Sequence, residues 1–239
     1  MSAGPPSLVG RIRARQREGR MPVLSEIKAR SPKEGDLLRG RTPEELARTY
    51  ASRPIAGISI VTEPVDFGGS LDLIRRVART VDAPILRKDF IREARGMEET
   101  AEAGGSAVLL TVGVLGVELL ADMHAAARAC GLETLVEVHD GTELDRFLAL
   151  GIAPDLLGIN NRDILVGETD DGDVSLTEQI AAGVPEGWLV LSESAIRGPE
   201  DARRARDAGA DALLVGTAIL RAADPGEAID GLIGIGWAA

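Results

Sequence analysis

The chain has 239 residues, 44% of them hydrophobic, which is enough for one sizeable core and matches the usual length of a single α/β barrel. A formal net charge of −11 excludes a general nucleic-acid or anionic-membrane surface, because the long-range field repels phosphate groups; an anionic ligand needs a locally basic pocket. Cys130 is the single cysteine and His124 and His139 are the only histidines, which excludes an intramolecular disulfide, argues against a Cys/His zinc site and points to the cytoplasm.

In chain order, residues 1–21 form an N-terminal extension without the apolar core of a signal segment. Leu8, Val9 and Ile12 among Arg11, Arg13, Arg15 and Arg17 fit either a basic helix across one end of the fold or a partly ordered arm. From 22 to 239, short runs rich in Val, Ile and Leu recur at 23–28, 58–62, 84–88, 107–111, 134–138, 156–160, 189–193 and 212–216. Between them lie amphipathic stretches at 43–52, 71–81, 93–103, 117–129, 142–150, 176–182 and 199–208, and 225–233 closes the set. Thr42-Pro43-Glu44-Glu45 and Gly198-Pro199-Glu200-Asp201 read as helix starts, and Gly104, Gly131, Gly151 and Gly209 as residues just past helix ends. The most apolar stretch, 106–123, is interrupted by Gly113, Gly116 and Glu118 and reads as strand, loop and helix start rather than a membrane span. The acidic run 168–173 reads as a solvated loop. Eight strands alternating with eight helices predict a single α/β domain, a (β/α)8 TIM barrel over 22–239. An open doubly wound sheet is the competing arrangement, but no strand leads into the G-x-G-x-x-G turn of a dinucleotide site.

Chemistry in such barrels is built at the C-terminal ends of the strands. Here those ends carry Glu26 and Lys28, Thr62 and Glu63, Lys88 and Asp89, Glu137, Asn160, and Glu193 and Ser194, whereas the strand starts are apolar. With a period of two, Glu26 and Lys28 share a face with Leu24, and Lys88 shares one with Leu86, so these charges point toward the barrel axis. The parity of Glu193 is ambiguous at its strand end. Of 27 basic residues only Lys28, Lys33 and Lys88 are lysine, as expected if lysine is kept where a titratable ammonium is needed. Burying five charges costs several kcal/mol per unpaired ion, which argues against a purely structural plug. The last two strand ends, Ser194-Ala195 and Gly216-Thr217, the second running into a short helical segment at 218–221, predict a phosphate cradle.

Six motifs then stand in order: Ser25-Glu26-Ile27-Lys28 with Ser31-Pro32; Phe67-Gly68-Gly69-Ser70; Leu86-Arg87-Lys88-Asp89-Phe90; Val136-Glu137-Val138-His139; Gly158-Ile159-Asn160-Asn161-Arg162-Asp163; and Ser192-Glu193-Ser194. From about Pro22 onward they resemble the indole-3-glycerol phosphate synthase family. The resemblance implies ring closure of 1-(o-carboxyphenylamino)-1-deoxyribulose 5-phosphate with loss of carbon dioxide and water, in tryptophan biosynthesis, without metal or organic cofactor. Attack of the aromatic carbon on the C2′ carbonyl needs a proton donor at the developing alkoxide, a task for a lysine of depressed pKa, assigned to Lys88. Dehydration needs a base, Glu137, and a second donor, Lys28. Glu26 would hold a lysine and Asn160 orient the substrate hydroxyls or Glu137. Ser31 and Arg162 would meet the substrate carboxylate and Glu193 the substrate; Phe67, Phe90 and Leu115 would wall the aromatic ring. Ser194, Ala195, Gly216 and Thr217 would cradle the phosphate.

The resemblance implies a small phosphorylated molecule as ligand and a monomer or weak homodimer, with no nucleic-acid or membrane partner. The chain departs from the family pattern in a short N-terminal extension, which weakens cover of the active-site mouth. The first loop reads Ser31-Pro32-Lys33-Glu34-Gly35 where the family usually has Ser-Pro-Ser-Lys-Gly, and Ala195 replaces a usual glycine, tolerable if its φ is negative. Thr217 replaces a smaller residue or a carboxylate. Competing readings are another phosphate-binding barrel enzyme, either a sugar-phosphate isomerase or an aldolase using Lys88 as a Schiff-base nucleophile, and a non-catalytic relative that binds phosphorylated metabolites.

Overall fold

A computed structural model describes residues 5–162 and 172–237. Helix α1 (Leu8–Arg17) precedes β1 (Val23–Ile27), and a small hairpin of β2 (Arg30–Ser31) and β3 (Gly35–Asp36) follows. The chain continues through α2 (Pro43–Ala51), β4 (Gly57–Val61), α3 (Leu71–Ala78), β5 (Ile85–Lys88), α4 (Arg95–Ala103), β6 (Ala107–Thr111) and α5 (Val112–Ala129). Then come β7 (Glu133–Val138), α6 (Gly141–Leu148), β8 (Leu156–Asn160), α7 (Ser175–Ile180), β9 (Val190–Glu193), α8 (Pro199–Asp207), β10 (Ala212–Val215), α9 (Thr217–Arg221) and α10 (Pro225–Ile233). Strands β1 and β4–β10 pair in parallel and close into a barrel in the order β1-β10-β9-β8-β7-β6-β5-β4. This is the expected (β/α)8 TIM barrel. Among the described residues no helix is long and apolar enough to cross a membrane.

Strand alternation sorts the apolar residues into layers. Val23 and Ile27 of β1 face the outer helices, with Ile58 and Ile60 of β4, while Leu24, Leu86, Leu109, Leu135, Leu191 and Leu214 fill the barrel interior. The local signals act as read: Thr42 and Glu45 form a reciprocal capping box at α2, and the four glycines placed after helices all take positive φ. Gly116, at φ 68° and ψ 167°, divides α5 into a short opening turn and the helix expected from 117. The β2–β3 hairpin was not foreseen, since two-residue strands carry no periodicity.

Helix α1 settles the two readings of the extension. Ser7 caps it by accepting from Gly10 N (2.9 Å), and the Glu133 carboxylate accepts from Leu8 N at 2.7 Å and Val9 N at 3.2 Å, a negative charge at the positive helix end. Leu8 and Ile12 are fully buried against the interior leucines, closing the barrel at the N-terminal ends of the strands. Each such burial stabilises the fold by about 1.5–3 kcal/mol. A Cβ on Gly57 would lie 2.8 Å from Leu8 Cδ1, so this close approach needs a glycine. The extension therefore seals the end opposite the charged strand termini. Of the acidic run, 168–171 lie outside the described residues; Asp173 is not simply solvated, because it accepts from Ser175 N (3.0 Å) and pairs with Arg204 (3.2 Å).

Candidate active site

At the C-terminal ends, β1 and the residue after it supply Glu26 and Lys28, β5 Lys88, β7 Glu137, β8 Asn160 and β9 Glu193. All are buried or nearly so. Glu193 follows Leu191 by two residues, and Leu191 lies in the interior layer, which resolves its parity as inward. Neighbouring strands make room: a Cβ on Gly158 would lie 2.8 Å from Glu193 Oε1, and one on Gly216 2.4 Å from Glu26 Oε1.

The charges form two linked groups. Lys28 Nζ lies 3.5 Å from Glu26 Oε1 and 5.5 Å from the centre of the Phe67 ring, an ion pair with a cation–π contact. Lys88 Nζ lies 3.4 Å from Glu137 Oε2 and contacts Glu193 Oε2. Glu137 is further held by Asn160 Nδ2 at 3.1 Å and Thr111 Oγ1 at 3.2 Å. Asn160 Oδ1 in turn accepts from Arg162 N at 3.1 Å.

The two carboxyls beside Lys88 do not titrate alike. Burial drives Glu137 upward, but the charges of Lys88 and His139 and its hydrogen bonds outweigh burial and hold it below the ordinary carboxylate range. Glu193 is pushed up to about 8 by burial, with Glu137 repelling its charge and Lys88 opposing the rise; its Oε1 accepts no hydrogen bond from a described residue. One ammonium cannot fully compensate two buried carboxylates, and the better-solvated Glu137 takes the charge. Near neutral pH the cluster therefore holds an ionised Glu137 and a protonated Glu193.

Two compartments open above this layer and share Glu26, Lys28 and Lys88. The wider, about 350 Å³, is lined by Ser194, Ala195, Gly216 and Thr217 and by the cations Lys33, Arg162, Arg197 and Arg221. The narrower, about 30 Å³, is walled by Phe67, Phe90, Val61 and Leu109, with Glu137 and Asn160 on its lining. Phe67 is fixed by its loop: Glu63 accepts from the N–H groups of Val65, Asp66 and Phe67 at 2.7–3.0 Å, and the Arg30 guanidinium donates to the Val65 and Asp66 carbonyls.

Some anticipated residues stand elsewhere. Ser31 lines neither compartment; its hydroxyl accepts from Glu34 N at 3.0 Å. Leu115 packs between strands and helices, and Glu193 supports Lys88 without lining a compartment. Ala195 does not take negative φ: Ser194 and Ala195 both lie in the left-handed region, at 65° and 56°. Asp163 is outside the described residues. Arg197 and Arg221 were missed, because arginine is too common here to stand out. Asn161 was quoted but given no role; its Nδ2 donates to Glu193 O (2.8 Å) and its Oδ1 accepts from Thr177 N (3.0 Å), tying α7 to the end of β9.

A family model described as indole-3-glycerol phosphate synthase matches residues 4–232. The chain is 45% identical over 224 residues to the indole-3-glycerol phosphate synthase of Thermococcus kodakarensis, covering 94% of this chain and 97% of that one. It is 44% identical over 220 residues to the enzyme of the same name from Pyrococcus furiosus, covering 92% and 95%. Among solved structures, orotidine 5'-phosphate decarboxylase from Pyrococcus horikoshii superposes with a TM-score of 0.65 at 20% identity, covering 89% of this chain and 98% of that one. That likeness concerns the barrel alone.

Proposed function

The chain belongs to the indole-3-glycerol phosphate synthase family, a carboxy-lyase of tryptophan biosynthesis, and from that premise we propose how its own residues divide the ring closure. The substrate phosphate occupies the wider compartment, against Ser194, Ala195, Gly216 and Thr217, with Arg197 and Arg221 supplying the local positive charge that an acidic protein otherwise lacks. The aromatic ring enters between Phe67 and Phe90, and Arg162 meets the carboxylate. The reacting carbonyl then falls where the compartments join, beside Lys88 and Lys28.

Lys88 donates a proton to the alkoxide that forms as the aromatic carbon attacks C2′. Carbon dioxide leaves and aromaticity returns. Glu137 removes a C1′ proton while Lys28, held by Glu26, protonates the departing hydroxyl. Protons balance: the 3.4 Å approach of Glu137 to Lys88 lets the captured proton restore the first donor. Because a carboxylate departs as neutral carbon dioxide and a hydroxyl as water, one proton is consumed per turnover, and solvent in the wider compartment returns it to Lys28. Glu193 and Asn160 position Lys88 and Glu137. The chain acts in the cytoplasm as a monomer or weak homodimer, a reading supported by its lone cysteine and net charge.

The observation that carries this division is the placement of Lys88 against Glu137 and Glu193 at the junction of the compartments. The test is turnover of the ribulose phosphate followed by indole fluorescence. Lys88→Ala is expected to lose about 10²–10⁴-fold in kcat while still binding ligand, the range of a general acid. A variant with near-native kcat removes Lys88 from the chemistry.

A further inference from the structure

His139 stands two residues beyond Glu137, on the same face of the strand direction, and the proton transfers above make no use of it. Its side chain is nearly buried, and each ring nitrogen faces a carboxylate: Nε2 lies 3.4 Å from Glu137 Oε1 and Nδ1 3.2 Å from Glu143 Oε2. Glu143, in the first turn of α6, is itself fixed. Its Oε2 accepts from His139 N at 2.8 Å, and its own N–H donates to Asp140 at 2.7 Å. Its other oxygen fills a slot over Gly113, where a Cβ would come within 2.3 Å.

We propose that His139, held by Glu143, is a positioning residue for Glu137, fixing the carboxylate and supplying the positive charge that keeps it ionised until it takes the C1′ proton. A neutral imidazole has one N–H and one lone pair, so either tautomer would point a lone pair at one of these carboxylates; only the imidazolium donates to both. The groups facing the ring are Glu137 on β7, Glu143 on α6 and Glu193 on β9, with Lys88 on β5 beyond Glu137. Burial lowers the imidazole pKa, but the three carboxylates outweigh it and raise it overall.

The inference rests on Glu137 being the base, and the experiment separates the two. Native chain, Glu137→Gln, His139→Asn, His139→Gln and Glu143→Gln are compared by kcat and KM across pH 5–9, with ordinary and C1′-dideuterated substrate. His139→Asn is expected to lower kcat about tenfold, the size of one charge-assisted contact to a carboxylate, with little change in KM. The acid limb of its kcat profile moves to higher pH and its isotope effect rises. His139→Gln, whose amide reaches the Nε2 position, recovers part of kcat but not the acid limb. Glu143→Gln, which keeps the packing, moves the limb in the same direction. If Glu137→Gln is inactive while the acid limb and isotope effect stay native in His139→Asn and Glu143→Gln, the histidine only ties β7 to α6 and the proposal falls. If Glu137→Gln keeps native kcat, it is the assignment of the base that fails.

Discussion

The two ends of the barrel are made by the same strands and differ in what the inward positions carry. One pleat below Glu26, Lys88, Glu137 and Glu193 stand Leu24, Leu86, Leu135 and Leu191, all fully buried, and below them Leu8 and Ile12 of α1 close the floor. The lower layers hold the barrel together, and they give the upper layer a dry, rigid base. That base keeps Glu193 protonated near neutral pH and makes each polar contact to Glu137 count for more than it would in water. Stability and chemistry are thus separated by about one pleat of strand, roughly 7 Å.

Neighbouring residues of β7 give the sharpest test of that separation. Glu137→Gln is expected to lose about 10²–10⁴-fold in kcat, because it removes the base. Its melting temperature stays close to native, because Glu193 can ionise against Lys88 once the repelling charge is gone. Leu135→Ala, one pleat lower, is expected to cost about 2–5 kcal/mol, seen as a fall of about 2–4 °C in Tm per kcal/mol, with kcat per folded molecule largely kept. Loss of turnover in Leu135→Ala without a fall in Tm would show that the two layers are not separable.

The pH dependence of stability sharpens the comparison further. Glu193 binds its proton with a pKa of about 8 in the folded chain against an ordinary value of 4.5. Between those values the native state holds a proton that the unfolded state has released. The stabilisation is complete below about 4.5 and is lost as pH rises through about 8. Glu137, held below its ordinary value, contributes in the opposite sense, and its stabilisation is lost as pH falls. Urea unfolding of native chain and Glu193→Gln at pH 5 and pH 8 isolates the first effect: the native chain should lose stability relative to the variant at the higher pH. Parallel behaviour would mean that Glu193 is ionised throughout.

Much of this division is legible in the sequence because two signals reinforce each other at the strand ends. Period-two alternation places Glu26, Lys28 and Lys88 inward, and the scarcity of lysine marks the last two. Where only one signal exists the reading weakens. Glu193 ends its strand, so its face depended on knowing that Leu191 is interior. Arg197 and Arg221 stand in loops and a short helix, where no alternation applies. His139 shares parity with Glu137, yet its partner Glu143 is fixed by an α6 cap and a bare Gly113, neither of which has a linear signature. Leu8 and Ile12 showed an apolar face, but which end of the barrel it would seal depended on Glu133 and Gly57, distant in the chain.

The smallest expected effect is at Ala195, where the upper layer departs from its relatives. Its φ of 56°, next to Ser194 at 65°, puts a methyl group in the left-handed region, which costs about 1–2 kcal/mol. Glycine removes that strain but has more freedom to lose on folding, about 0.5–1 kcal/mol, so Ala195→Gly should gain only about 0.5–1 kcal/mol in stability. The backbone already holds the left-handed turn with alanine in place, so its N–H groups point the same way in both proteins. KM for the ribulose phosphate should therefore barely change. A KM that falls tenfold on removing the methyl would show that it crowds the phosphate, and that this turn, unlike the leucine floor, is strained at the expense of binding.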